Sequence, residues 1–548
     1  MDSIPRVRGT SHVLAYIFCI LWMLEMNDPT RQHGELILAI DAGTQSIRAA
    51  LVDLTGHIHH LVKTPIEPYF SERPGWAEQQ PEYYWQMLCE TCRKLFDITD
   101  CPKDSVVAVT LATQRGTYIN VDRDGNALRP AIIWLDQRKA STKGIIEPSS
   151  VPLLRAAKLY DLVKYGTQYC RSNWIRQNQP DIWEKTHKFL CLSGYLTHRM
   201  TGKFKDSAGN IVGTMPFDVK TFSWASKEDL KWKLFPLEEE KLPELVNPAE
   251  LLGTITSKAA EDTGIPEGLP LIAASNDKAC EIIGAGCLTP DTACISFGTI
   301  ATINTQNKEY VELRPLMAPY PSAIPGQFYS EVAIMRGLWM VSWFKQEFGL
   351  QERLRAQEGE TPPEELFEEL IRDVPPGSMG LVLQPYWTPG PDLASYAKGS
   401  IIGFGDIHTR AHLYRAIIEG LALGLKEGAQ LTEEKNQTPI VQIRASGGGS
   451  QSDSITQVTA DIFGLPVQRP HTHETSVVGA AIDAAVGLKF FPDFNQAINA
   501  MTRVRDVFEP IKNNVDIYRK LYERVYLKMY KKLLPLFKEI QRITGYPE

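Results

Sequence analysis

Positive charge is in short supply in this chain. Its 58 Lys and Arg stand against 65 Asp and Glu, a net charge of −7. An acidic surface repels a polyanion, so nucleic acid is not expected as a partner. Cysteine is sparse: nine, an odd number, are spread through 548 residues. That dispersion supplies no disulfide framework and suits a reducing, cytoplasmic setting. Cys89 and Cys92 form a Cys-x-x-Cys on an expected helix, with no second pair. They read as core or surface filling rather than a metal site. His471 and His473 share a loop without a third ligand nearby, which argues against a metal there. Long apolar runs are lacking as well. Val13 to Leu24 is apolar and preceded by Arg6 and Arg8, like a signal-peptide core, but no small-residue cleavage site follows. It falls short of the roughly 20 residues of a membrane helix. Met26 is the expected start, residues 1–25 an upstream extension, and no membrane partner is expected. No segment is of low complexity.

What the chain does have is apolar runs set between helical stretches. Its length suits two large domains, and a hydrophobic share of 43% fills their cores. Leu36-Ile-Leu-Ala-Ile-Asp41-Ala-Gly43-Thr44-Gln45-Ser46-Ile-Arg48-Ala-Ala-Leu-Val-Asp53 predicts a hairpin: strand, glycine turn, strand. Such a turn offers backbone N–H groups and the Thr44 and Ser46 hydroxyls to a phosphate, with Asp41 available for Mg²⁺. Further strands are expected at Val106–Leu111, Thr117–Asp122, Ala131–Trp134 and Leu269–Ser275, and helices at Glu82–Asp97 and Asp181–Thr201. Thr292–Ser296, the turn Phe297-Gly298-Thr299 and Ile300–Ile303 echo the opening hairpin. That echo predicts two related α/β domains facing a cleft. Glu364–Arg372 is expected to be a short acidic helix and Arg410–Gln430 an amphipathic one. Ile440–Ala445 reads as a strand delivering Ser446-Gly447-Gly448-Gly449-Ser450, with a helix from Ser452 to Phe463. The tail from Val515 to Arg542 is expected to pack as a terminal helix.

Three motifs carry chemistry, each with a plainer alternative. The glycines at 447–449 remove side chains where a flat ring or phosphate passes close to the backbone; a tight turn alone would also want them. Asn276-Asp277-Lys278 ends a strand and opens a helix, so Asp277 is either a general base projecting into the cleft or an N-cap. Gln114 and Arg115 end one strand, and Trp134 and Asp136 follow another. They suit a polyol, with hydrogen bonds for hydroxyls and an apolar wall for carbons. The alternative is a solvated loop with a structural pair of Asp136 and Arg138.

In this order the elements resemble the FGGY carbohydrate kinases of the actin-like ATPase superfamily, from about Leu36 to the C-terminus. The resemblance rests on the opening Asp-x-Gly-Thr turn, Gly75-Trp-Ala-Glu-Gln79, Asp124-Gly125 and Arg129-Pro-Ala-Ile-Ile-Trp-Leu-Asp-Gln-Arg138. Asn276-Asp277, Ser296-Phe-Gly-Thr299, Gly399-Ser-Ile-Ile-Gly-Phe404 and Gly447-Gly-Gly449 complete it. It implies an α/β fold of two actin-like (ribonuclease H-like) domains with the active site between them. The expected division is 1–33 extension, 34–282 N-terminal domain and 283–548 C-terminal domain. It implies ATP and Mg²⁺, a sugar, polyol or sugar acid as acceptor, and possible homodimers. Asp277 would be the base and Asp41 would hold Mg²⁺ through water. Thr44, Gln45, Ser46, Arg48, Gly298, Thr299, Gly337, Gly448 and Ser452 would contact nucleotide. Gln114, Arg115, Trp134, Asp136, Asn276 and Asp277 would contact substrate. The chain departs from the family at Arg115-Gly116, where xylulose kinases have Met-His and glycerol kinases Arg-Glu, and at Lys278, where glycerol kinases have Gln. Gly116 is expected to leave room for a larger substrate, and Lys278 to favour an acidic sugar. The rival readings are a sugar-binding regulator and an actin-like ATPase without sugar kinase activity.

Overall fold

Runs of β-branched and aliphatic residues bounded by turn residues form strands, and here they assemble two main sheets. The computed structural model describes residues 34–157, 159–315, 317–359, 363–388 and 396–546. The expected extension, with its apolar run and Met26, lies outside the described residues.

The first sheet has six strands, in the order Leu251–Thr254, Pro270–Asn276, Val106–Thr113, Leu36–Ala42, Ser46–Asp53, Ile58–Pro65. The last three form an antiparallel meander. Leu36–Ala42 runs parallel to Val106–Thr113, which runs parallel to Pro270–Asn276. The second sheet has seven strands: Tyr320–Pro321, Phe328–Ile334, Ala301–Asn307, Thr292–Phe297, Gln442–Ser446, Val467–Pro470, Val504–Phe508. Thr292–Phe297, Ala301–Asn307 and Phe328–Ile334 again form an antiparallel meander, and Thr292–Phe297, Gln442–Ser446 and Val467–Pro470 are parallel. The echo seen in two Gly-Thr turns therefore extends to five strands of each sheet, the ribonuclease H-like order. The Leu36 strand is buried on both faces. Leu36, Leu38 and Ile40 pack with Tyr84, Trp85 and Leu88 of the helix Pro81–Ile98, while Ile37 and Ala39 pack with Ile282, Val477 and Ile482.

Two helices join the halves. Asp277–Gly284 follows the last parallel strand of the first sheet, and Thr475–Gly487 that of the second. Their backbones touch. A Cβ on Gly284 would lie 1.9 Å from Thr475 O, and one on Gly479 1.9 Å from Cys280 O. Only glycine permits that approach. The last residue of one helix thus meets the first of the other, and Gly479 meets Cys280 between them.

Other expectations need correction. Asp181–Thr201 is not one helix: Pro180–Lys185 and Leu192–Thr201 flank a strand, Lys188–Cys191. That strand pairs with Tyr118–Val121 in a four-stranded sheet, and pairing across the chain overrides the local helical pattern. The strand at Ala131 stops at Ile132. The helix Arg410–Asn436 is longer than expected and buried from Leu413 through Leu425, so it is an interior helix rather than an amphipathic one. Cys89 and Cys92 are buried on their helix. The tail forms helices Lys512–Leu521 and Leu527–Thr544 around a π turn, and packs through Tyr518, Tyr522, Tyr526 and Phe537. No helix among the described residues is long and apolar enough to cross a membrane.

Candidate active site

In the opening hairpin Asp41 pairs with Arg48, and the turn is closed by Gly43 N–H donating to Ser46 O at 3.1 Å. Asp41 is buried, and burial pushes its carboxyl up to about 6 against the pull of Arg48. Arg48 Nη1 donates to Asp41 Oδ2 at 3.0 Å and its Nε meets Glu474 Oε2 at 2.8 Å. Ser476 Oγ donates to Asp41 Oδ2 at 3.3 Å. Glu474 and Ser476 stand at the start of the helix Thr475–Gly487, so one guanidinium links the first hairpin to the second domain. Among the described residues nothing donates to Asp41 Oδ1. A buried acceptor without a donor costs free energy and suits a hydrated cation.

The second turn meets the first. Gln45 Nε2 donates to Thr299 Oγ1 at 2.9 Å. Gly337 N–H and Leu338 N–H donate to Thr299 O and Gly298 O at 2.8 and 2.9 Å. A Cβ on Gly337 would sit 2.2 Å from Ala301 N, so this glycine is packed against the turn. Among the three glycines of the Gly447 turn, Gly448 alone opens onto space, since a Cβ there meets nothing within 4 Å. Ser452 caps the helix Asp453–Phe463, accepting from Ile455 N–H at 3.1 Å and donating to Glu368.

Thr44, Gln114 and Trp134 come together. Thr44 Oγ1 donates to Gln114 Oε1 at 2.8 Å, and Trp134 Nε1 donates to Thr44 Oγ1 and Gln114 Oε1 at 3.0 and 3.1 Å. Arg115 reaches across the domains. Its Nη2 donates to both Glu331 oxygens at 2.7 Å and its Nη1 to Tyr329 OH at 2.8 Å. Tyr329 OH donates in turn to Asn276 Oδ1 at 3.0 Å.

Asn276, rather than its neighbour, takes the cap position. Its Oδ1 accepts Ala279 N–H at 3.1 Å, so Asn276 is the N-cap and Asp277 the first residue of the helix. Burial raises the Asp277 carboxyl above its usual range, with Lys278 and Arg115 opposing and Glu281 reinforcing the shift. The charge of Asp277 adds to the upward shift of Asp41. Asp136 is held apart from this group. Its oxygens accept Ala77 N–H at 2.7 Å and Arg138 Nε at 2.9 Å, and Arg138 lies 3.9 Å over the Trp76 ring. The pair of Asp136 and Arg138 is thus present but buried, not solvated.

The pattern has relatives. A model described as the N-terminal domain of the FGGY family of carbohydrate kinases matches residues 36–284, and its C-terminal counterpart matches 293–488. The chain belongs to the FGGY family of carbohydrate kinases. It is 31% identical over 502 residues to an uncharacterized sugar kinase of Escherichia coli K12, covering 90% of this chain and 93% of the relative. It is 27% identical over 520 residues to a xylulose kinase of Staphylococcus epidermidis, covering 93% and 99%. The crystal structure of a ligand-bound xylulose kinase from Lactobacillus acidophilus superposes with a TM-score of 0.74 at 22% identity, covering 94% of this chain and 99% of that one.

Two expectations for this carbohydrate kinase fail on geometry. Lys278 is already paired rather than free for an acidic substrate: its Nζ donates to Glu281 Oε2 and Ser296 Oγ, both at 2.6 Å. Glu281 sits one turn along the same helix, where such a pair forms readily. Gly116 does not open the pocket either. Its φ is +73° and a Cβ would meet Trp134 Cβ at 3.3 Å, so the turn itself demands glycine. Tyr329, Glu331, Glu474 and Ser476 escaped the motif reading because each gains its partner only when the two domains meet.

Proposed function

We propose that this carbohydrate kinase transfers the γ-phosphoryl group of ATP to a hydroxyl of a sugar, polyol or sugar acid, with Asp277 as general base. The reading is carried by the two Gly-Thr turns bridged by Gln45 and Thr299, next to the buried Asp41 with its partnerless Oδ1. The acceptor hydroxyl gives its proton to Asp277 as its oxygen forms the new bond to γ-phosphorus. The bond from γ-phosphorus to the β,γ-bridging oxygen breaks, and ADP leaves with that electron pair. Such transfer needs positioning and charge neutralisation more than covalent help. Mg²⁺ fits the partnerless Asp41 Oδ1, and when bound it would offset phosphate charge. The turns at Gly43–Ser46 and Gly298–Thr299 offer N–H and hydroxyl groups to phosphates, and Gly448 leaves room for a flat base. Gln114, Trp134 and Arg115 frame the acceptor side. Burial of Asp277 holds its affinity for protons above that of a solvated carboxylate, which brings it closer to the range where a base works well. ADP release with Mg-ATP across pentuloses, hexuloses, polyols, glycerol and sugar acids tests the proposal. A strong responder is expected, and ATP turnover indifferent to every acceptor would contradict it.

A further inference from the structure

The cations around the candidate substrate site are already paired. Arg115 Nη2 meets both oxygens of Glu331, Lys278 holds Glu281, and Arg48 holds Asp41 and Glu474. Glu331 is the unexpected member. It lies within the strand Phe328–Ile334 of the second sheet, opposite Asn304, and crosses to the first domain to meet Arg115. Its side chain is only 7% exposed. A carboxylate so placed needs a partner to stay charged, and Arg115 is that partner.

We infer that Glu331 is a specificity-determining residue: with Tyr329 it takes up the Arg115 guanidinium, and so restricts the site to uncharged sugars and polyols, against sugar acids. The inference rests on the reading of the Asp277 site as the sugar site. The argument is one of charge and shape. A guanidinium pairs well with a carboxylate, and here Glu331 already holds Nη2 and Tyr329 OH holds Nη1. A sugar acid would have to shed water beside Asp277 and Asp41 without an unpaired cation among these groups, which is costly. A neutral hydroxyl carries no charge to desolvate and asks only for hydrogen-bond partners. Glu331 therefore positions Arg115 and cancels its charge without taking part in the chemistry.

The experiment compares kcat/KM for neutral ketoses and polyols with that for aldonates such as D-gluconate, in wild type, Glu331→Gln and Glu331→Asp. Wild type is expected to prefer neutral acceptors. Glu331→Gln, which keeps the shape and removes the charge, is expected to raise the aldonate-to-neutral ratio by roughly tenfold or more. Glu331→Asp should retain the wild-type preference, which a merely structural role would not separate from Glu331→Gln. A wild-type preference for aldonates, or an unchanged ratio in Glu331→Gln, overturns the inference and leaves the kinase reading standing. If Glu331→Gln does not fold, the preferences of wild type and Glu331→Asp decide. ADP release stimulated by no acceptor in any variant would overturn the kinase reading itself, and this inference with it.

Discussion

Burial raises the proton affinity of both Asp41 and Asp277, and the charge of Asp277 adds to the shift of Asp41. For Asp41 the consequence has a definite sign. Its folded value of about 6 lies above the usual 3.8, so without metal the folded state takes up a proton and this group's contribution to stability is greatest at low pH. That contribution fades as pH rises through about 6, where the buried carboxylate becomes charged. On the proposed reading Mg²⁺ would compete with that proton for Asp41. The gain in Tm on adding Mg²⁺ with ATP should therefore be small at about pH 5 and large at about pH 7.5, and Asp41→Asn should flatten the difference. Equal gains at both pH values would remove Asp41 from the metal's surroundings. Gly448 offers a second residue-scale test. Because a Cβ there meets nothing within 4 Å, Gly448→Leu should leave Tm within about 1–2 °C of wild type yet raise KM for ATP tenfold or so. An unchanged KM would place the nucleotide elsewhere. Asp41, Asp277 and the glycine turns were legible in the sequence because each motif is contiguous. Glu331 and Glu474 were not, since their partners lie more than 200 and 400 residues away in the chain.

Helices and strands show the same division. The opening hairpin was legible from two apolar runs about a Gly-Thr turn, because a hairpin's register is local. Lys188–Cys191 was not, because its identity as a strand comes from Tyr118–Val121 and not from its own pattern. Nor was the interior character of Arg410–Asn436, which depends on what surrounds it. The most demanding contact between elements is the crossing of Asp277–Gly284 with Thr475–Gly487. Gly479→Ala would force a methyl group against Cys280 O, and the helices would have to separate. A loss of about 1–3 kcal/mol is expected from overpacking, read as a drop in Tm. Since Asp277 opens one of these helices and Ser476 lies at the start of the other, kcat should fall more than the remaining folded fraction explains. Full activity per folded molecule would show that the crossing does not set the position of Asp277.

At the scale of the molecule, two copies of one strand order face each other, each contributing a Gly-Thr turn to the junction. The likeness was visible in the sequence through the turns alone. The exchange of partners between domains, Arg48 with Glu474, Arg115 with Glu331 and Gln45 with Thr299, appears only in the folded chain. Such links suit an enzyme whose halves close on substrates and exclude water. The most direct test is a single-turnover measurement of phosphorylated sugar formed from Mg-ATP by wild type and Asp277→Asn, with nucleotide affinity measured on the same samples. The account predicts phosphorylated sugar and ADP in equal amounts from wild type, and a rate lower by about 10²-fold or more in Asp277→Asn at unchanged nucleotide affinity. Full-rate transfer by Asp277→Asn, or ADP without phosphorylated sugar from wild type, would contradict it.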